Sequence, residues 1–259
     1  MKLLATDYDG TLLFGDALLQ DDLDAIHRWR EEGNQFAIVT GRSHESMMKQ
    51  IAEYGLELDY LVTNNGGMIF DREGKNLLAS QLDTITAIDL MFASHEMGDV
   101  VSYVVNDGYN RHKVVVNPGL PDHRYPHMQP DWTEEQIMDS ANFAQIVFSM
   151  RDRDAAMEFA DKVNMYFGSS VNAFANNCVV DVVPNGTSKA SGLEFITAYS
   201  GLDDDDVYAI GDSNNDIPML EAAAHPAVIA AAPAEVLEVV DDRVYPTVSA
   251  FIEDIEHNA

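Results

Sequence analysis

Short apolar runs and helically spaced apolar residues alternate through the first eighty positions. Lys2 to Thr6 reads as a brief buried strand that stops at Asp7. Leu19, Leu23, Ile26 and Trp29 recur at helical spacing, with Asp21 and Asp22 near the start and Gly33 at the end, which predicts an amphipathic helix. Phe36-Ala37-Ile38-Val39 is a second buried strand, Met47, Met48 and Ile51 mark a second helix, and Leu61-Val62-Thr63 is a third strand. Such alternation predicts parallel strands joined by crossover helices. Met68 to Leu78, with a turn at Asp71-Arg72-Glu73-Gly74, predicts an appended hairpin.

From Asp83 the pattern changes. A helix on Ile85, Ile88 and Phe92 leads to two β-rich runs, Val100–Val105 and Lys113–Val116, and then to a loop with four prolines. A helix near Thr133–Ser140, a strand Ile146–Met150, a helix Asp154–Phe167 and strands Val171–Ala175 and Val179–Val183 follow. Hairpins mixed with helices predict a separate α+β domain over 83–184. Past Pro184 the first pattern returns: helix Ser191–Tyr199, strand Val207–Ile210, helix Met219–Ala224, strand Ala227–Ile229, helix Ala234–Val240 and a closing helix Val248–Ile255. The expected fold class is therefore α/β. A Rossmann-like, doubly wound parallel sheet is built discontinuously from 1–82 and 185–259, with the α+β domain inserted between them.

Composition narrows the function. The 259 residues are 46% hydrophobic, an ordinary globular value, and hold no apolar stretch long enough for a membrane span and no secretory leader. Cys178 is the only cysteine, which excludes an intramolecular disulfide and fits a reducing cytoplasm. Fifteen Lys and Arg face 44 Asp and Glu, a net charge of −29, so nucleic acid and anionic lipid are excluded as partners. An anionic substrate would need positive charge held locally at its site.

Chemistry collects where the strands stop. Asp7-Tyr8-Asp9-Gly10-Thr11 puts two carboxylates i, i+2 at a strand end, where side-chain alternation would leave them on one side. Like charges that close require a cation or a shared proton, and a hard cation prefers oxygen ligands. An EF-hand starting at Asp7 fails, because its sixth and twelfth positions are Leu12 and Leu18 where Gly and Glu are needed. Gly211-Asp212-Ser213-Asn214-Asn215-Asp216 follows another buried strand. Asp212 there could share a metal with Asp7, or the run could be helix-capping chemistry. Thr40, with nearby backbone N–H groups, and Lys189, one of six lysines, could hold a phosphoryl group. Arg42 could equally be a surface ion-pair partner.

Together these runs resemble the haloacid dehalogenase superfamily, and within it the Cof-like sugar phosphatases with a type IIB cap. Asp7-Tyr8-Asp9-Gly10-Thr11-Leu12, Thr40-Gly41-Arg42, Lys189 and Gly211-Asp212-Ser213-Asn214-Asn215-Asp216-Ile217-Pro218-Met219-Leu220 match the four motifs in order, and Asn65-Gly66-Gly67 stands where Asn-Gly-Ala is common. The resemblance implies a Mg²⁺-dependent phosphatase of small phosphate monoesters. Asp7 would be the nucleophile and Asp9 the acid/base. Asp7, the Asp9 carbonyl and Asp212 would hold Mg²⁺, with Asp216 placing waters on the metal. Thr40, Gly41, Lys189 and Asn65 would bind phosphoryl oxygens, while Asn215 would orient Lys189 or touch the phosphate. A phosphotransferase or mutase on the same scaffold is the alternative. A binding protein without turnover would be expected to lack Asp7 or Asp9. The inserted cap would select a small phosphorylated metabolite. Its basic cluster of Arg111, His112, Lys113, His123, Arg124 and His127 would either draw in that anion or support the hairpin.

Overall fold

A computed structural model describes residues 1–15, 17–240 and 242–257. In chain order its elements are β1 (Leu3–Thr6), β2 (Leu13–Phe14), β3 (Ala17–Leu18), α1 (Gln20–Glu31), β4 (Gln35–Val39), α2 (His44–Tyr54), β5 (Tyr60–Thr63), β6 (Met68–Asp71), β7 (Asn76–Ala79) and α3 (Thr84–His95). Next come β8 (Val100–Asn106), β9 (Arg111–Val115), α4 (Glu134–Ser140), β10 (Gln145–Met150), α5 (Arg153–Phe167), β11 (Val171–Asn176) and β12 (Val179–Pro184). The chain ends with α6 (Lys189–Ser200), β13 (Val207–Gly211), α7 (Ile217–Ala222), β14 (His225–Ile229), α8 (Ala234–Leu237), β15 (Val244–Tyr245) and α9 (Val248–His257). Two compact units result. One comprises 1–42, 46–78 and 188–259, and the other 43–45 and 79–187.

The first unit is organised around β1. Its four residues are fully buried, which requires a neighbour on both edges and cover on both faces. The sheet order β15-β14-β13-β1-β4-β5-β6-β7 provides the neighbours, with β13 and β4 both parallel to β1. On one face Leu3 and Ala5 pack with Leu193 and Ile196 of α6 and Met219 and Leu220 of α7. On the other, Tyr208 packs edge-on with Trp29 from α1 and tilted against Phe251 from α9. This is a doubly wound α/β core of Rossmann type. Its far edge turns antiparallel at β6, as the predicted hairpin requires, and Gly74 closes the hairpin at φ +77°. Three features escape the periodicity: the small β2–β3 hairpin, strand β15, and the brevity of α8, which ends at Leu237 rather than Val240. Two-residue strands carry no readable alternation.

The second unit is an antiparallel sheet, β11-β12-β10-β8-β9, whose core joins Tyr103, Ile146, Phe148 and Met150 to α3, α4 and α5. Helix α3 buries Ala87, Leu90, Met91 and Ser94, while Ile85 and Phe92 are exposed. Of the three residues that marked the helix, Ile88 packs against this core and Ile85 and Phe92 do not. The helix is apolar nearly all round, so spacing alone could not choose. Three of the six residues of the basic cluster pair with acids nearby. Buried Lys113 binds Asp122 Oδ2 (2.7 Å) and the Tyr125 carbonyl (2.6 Å). Buried His112 stacks on Trp132 and meets Asp131 at 3.0 Å, and Arg111 reaches Glu45 at 3.3 Å. Lys113 and His112 thus pin the proline-rich segment to β9, whereas His123, Arg124 and His127 are exposed.

Candidate active site

Parallel order puts the carboxyl ends of β13, β1, β4 and β5 side by side, and these ends carry Asp212, Asp7, Thr40 and Asn64-Asn65. Backbone bonds set their heights. Asp7 N donates to Ile210 O (2.9 Å), Thr40 N to Val62 O (2.9 Å), and Asn65 N to Thr40 O (3.0 Å).

Asp7 is buried, and its Oδ1 accepts from Lys189 Nζ at 2.5 Å. The same ammonium, also buried, reaches Asp216 Oδ1 at 2.5 Å. Lys189 owes its place to α6, whose first turn is closed by a capping box between Ser188 and Ser191. The other oxygen of Asp216 accepts from the backbone N–H groups of Asp212 (3.0 Å) and Ser213 (2.8 Å), so this fully buried carboxylate folds its own loop while gripping Lys189. Asp212 is half-buried. Thr11 Oγ1 donates to its Oδ1 (2.7 Å) and Ser213 Oγ to its Oδ2 (3.0 Å). Gly10, at φ +93°, allows that approach, because a Cβ there would lie 2.4 Å from Asp212 Oδ2.

Electrostatics show what the cluster lacks. Burial, then the nearby Asp216 charge, pushes the Asp7 carboxyl well above the ordinary carboxylate range despite Lys189. Burial also raises Asp212. Burial works against the Lys189 charge, but Asp216 and Asp7 outweigh it, and its pKa stands above the usual lysine value. Oxygens of Asp7, Asp212 and Asp216 lie within 4.8 Å of one another. One ammonium against three carboxylates leaves two negative charges unbalanced in a water-poor site. A hard divalent cation suits that all-oxygen donor set.

The carboxylates at Asp7 and Asp9 do not share a partner. Strand β1 ends at Thr6 and the backbone turns at Tyr8, so strand alternation does not apply. Asp9 is instead held by Arg42: Nε to Oδ2 at 2.7 Å and Nη2 to Oδ1 at 2.5 Å. Thr40 is buried, and its hydroxyl accepts from Arg42 N (3.1 Å). Gly41 faces the Asn65 amide, whose oxygen would lie 3.1 Å from a Cβ at that position. Asn65 is left-handed (φ 52°, ψ 37°) and accepts from Asn215 Nδ2 at 3.1 Å, so Asn215 points its donor to Asn65 while Lys189 binds the two aspartates. Asn215 Oδ1 is buried without a hydrogen-bond partner. Thr40, Gly41, Asn65 and Asn215 thus lie together, beside the cluster formed by Asp7, Lys189, Asp212 and Asp216.

Residues 4–248 match the family model of haloacid dehalogenase-like hydrolases. The chain belongs to this family. Among relatives of this hydrolase, an HMP-PP phosphatase from Cronobacter sakazakii is 28% identical over 86% of this chain and 81% of that protein. A pyridoxal phosphate phosphatase from Escherichia coli is 28% identical over 86% of this chain and 85% of its own length. A phosphatase of the superfamily from Bacteroides thetaiotaomicron shares the fold, with a TM-score of 0.83 over 99% of this chain and 94% of that one, at 24% identity. A subclass IIB sugar phosphatase shares it too, with a TM-score of 0.79 over 100% and 99% of the two chains, at 20% identity.

The motif residues of this family member are legible in sequence, but some of their supports are not. Thr11 and Ser213 clamp Asp212 through hydroxyls. Their one signal is adjacency to the Asp-Gly and Gly-Asp runs.

Proposed function

We infer that the protein is a Mg²⁺-dependent phosphatase that hydrolyses small phosphate monoesters, such as sugar phosphates or similar metabolites, through an aspartyl-phosphate on Asp7. The observation that carries this is the cluster of Asp7, Asp212 and Asp216 at the carboxyl ends of β1 and β13, where one ammonium, Lys189, binds Asp7 and Asp216. Relatives named as phosphatases of small phosphorylated cofactors and precursors support the substrate class.

In this reading Lys189 occupies Oδ1 of Asp7, and Oδ2 attacks phosphorus. The ester oxygen leaves with a proton from Asp9. A water then attacks the phosphoenzyme, gives its proton to Asp9, and releases phosphate and the Asp7 carboxylate. Lys189, Thr40 and the Gly41 N–H take the phosphoryl oxygens, and Asn65 and Asn215 support that cradle. Mg²⁺ would be held by Asp7, the Asp9 carbonyl and Asp212, with Asp216 acting through water; when bound it supplies charge neutralisation for phosphoryl transfer. Residues 83–184 would form the cap that selects the substrate. A cytoplasmic setting is consistent with one unpaired cysteine and with no helix among the described residues long and apolar enough to cross a membrane.

The test is phosphate release from p-nitrophenyl phosphate and from a panel of phosphorylated metabolites, with Mg²⁺ and then with chelator. Release that survives complete chelation removes the metal from the reading. Transfer to an added sugar acceptor instead of water would favour the mutase alternative.

A further inference from the structure

Asp9 is nearly half exposed (42% for its side chain), so burial does not fix its carboxylate. Arg42 does. The guanidinium grips both oxygens in a fork, the strongest and most directional form of this pair. Arg42 is itself held on several sides. Its backbone N donates to Thr40 Oγ1 (3.1 Å), its carbonyl accepts from Asn64 N (3.0 Å), and its guanidinium lies 4.8 Å from the centre of the Tyr8 ring. That ring is fully buried, and its hydroxyl donates to Gln50 Oε1 at 2.8 Å. An exposed ion pair between mobile side chains does little. This one is built on a fixed plate.

The geometry has a chemical direction. A guanidinium offers only N–H donors, so a carboxylate gripped at both oxygens is presented as a proton acceptor. Each oxygen keeps a further lone pair, so Asp9 can accept a proton without leaving Arg42. The fork also fixes where those free lone pairs point, which is what a base in the second half-reaction needs.

We propose that Arg42 is a positioning residue for the second half-reaction, holding Asp9 where it takes the proton of the water that hydrolyses the aspartyl-phosphate. In that step the water oxygen bonds to phosphorus, and the bond from phosphorus to the Asp7 oxygen breaks with its electron pair returning to Asp7. The water proton goes to Asp9, and Asp9 later passes it to the next leaving oxygen. This inference rests on the phosphoenzyme reading above.

The experiment compares wild type, Arg42→Gln and Arg42→Lys on p-nitrophenyl phosphate with Mg²⁺, by rapid quench and steady state. p-Nitrophenolate departs without needing a proton, so the first half-reaction is blind to Asp9. Arg42→Gln is expected to give a burst of one p-nitrophenolate per site, followed by turnover about tenfold slower or more, a part of the factor of about 10²–10⁴ that positioned proton transfer supplies. kcat and KM should fall together, leaving kcat/KM unchanged, and a hydroxylamine-sensitive phosphoenzyme should accumulate. Arg42→Lys, a single-point donor, should recover part of kcat. A fall in kcat/KM with unchanged kcat would make Arg42 a phosphate binder and overturn the proposal. Parallel losses in both variants without accumulated phosphoenzyme would make its role structural and overturn it equally. If neither wild type nor Asp9→Asn forms any hydroxylamine-sensitive adduct, the phosphoenzyme reading fails and takes this inference with it.

Discussion

At the scale of single residues, the site depends on hydroxyls as much as on carboxylates. Thr11 and Ser213 each donate to one oxygen of Asp212, so that side chain is aimed before any cation arrives. Partners of this kind typically carry about 10–100-fold in metal affinity. Thr11→Val should therefore weaken Mg²⁺ binding by about that factor in calorimetry, and an unchanged affinity would show that the hydroxyl does not aim the carboxylate. Asp7→Asn should abolish turnover while leaving the fold intact, since the amide keeps the shape and removes only the attacking oxyanion; near-native rates would refute the nucleophile assignment. Asp7 and Asp212 are legible in sequence because each directly follows a buried strand, and Lys189 because it falls in order among the matching motifs. Thr11 and Ser213 are not. A hydroxyl is common in any turn, and only the fold shows where it donates.

Helices and turns set the next scale. Gly66 turns at φ +102°, and a Cβ there would fall 2.1 Å from the Ser188 carbonyl, a backbone atom that cannot retreat without moving the start of α6. Gly66→Ala should cost about 3 kcal/mol or more. Gly74 has φ +77° but nothing within 4 Å, so Gly74→Ala should cost only the left-handed strain of about 1–2 kcal/mol. Denaturant melts of both separate clash from strain. Asp22 joins α1 to α9: its Oδ1 accepts from Ser249 N at 2.7 Å, while its buried Oδ2 has no partner. Burial raises its pKa, and the bond from Ser249 opposes this without cancelling it. The folded state then keeps the proton to higher pH than the unfolded chain does. Across that window the folded state binds more protons, and stability falls as pH rises. Asp22→Asn has no such slope, so its stability relative to wild type should improve between pH 4 and pH 7 in urea melts. A difference independent of pH would contradict the shift. Helix α3 shows where pattern reading ends at this scale. Its TITAIDLMFASH run offers apolar residues on every side, and the packing partner alone selects Ala87, Leu90 and Met91.

For the molecule as a whole, charge is the dominant variable. A net charge of −29 means that carboxylates repel one another across most of the surface. Screening shortens from about 10 Å at 0.1 M salt to about 3 Å at 1 M, so the melting temperature should rise with KCl over that range. A flat or falling response would mean that local ion pairs already balance the surface. The parallel core was readable because β1, β4, β5 and β13 are short, apolar and almost wholly buried. Such strands announce cover on both faces. Where an element is two residues long, or sits at an edge like β15, the chain carries no comparable signal.

The place of β1 between β4 and β13 has a consequence for biosynthesis. One flank of this strand pairs with a segment about 30 residues away, and the other with a segment about 200 residues away. A ribosome adding about 5–20 residues per second reaches β13 roughly 10–40 s after β1 has been made. Through that interval Leu3 to Thr6 is an apolar edge with one side unsatisfied, and Ala79–Thr187, continuous in the chain, is completed before it ends. The nascent protein therefore carries Asp7, the proposed nucleophile, early and its fold late, and a chaperone that shields the amino-terminal strand would be engaged before the carboxyl-terminal half exists.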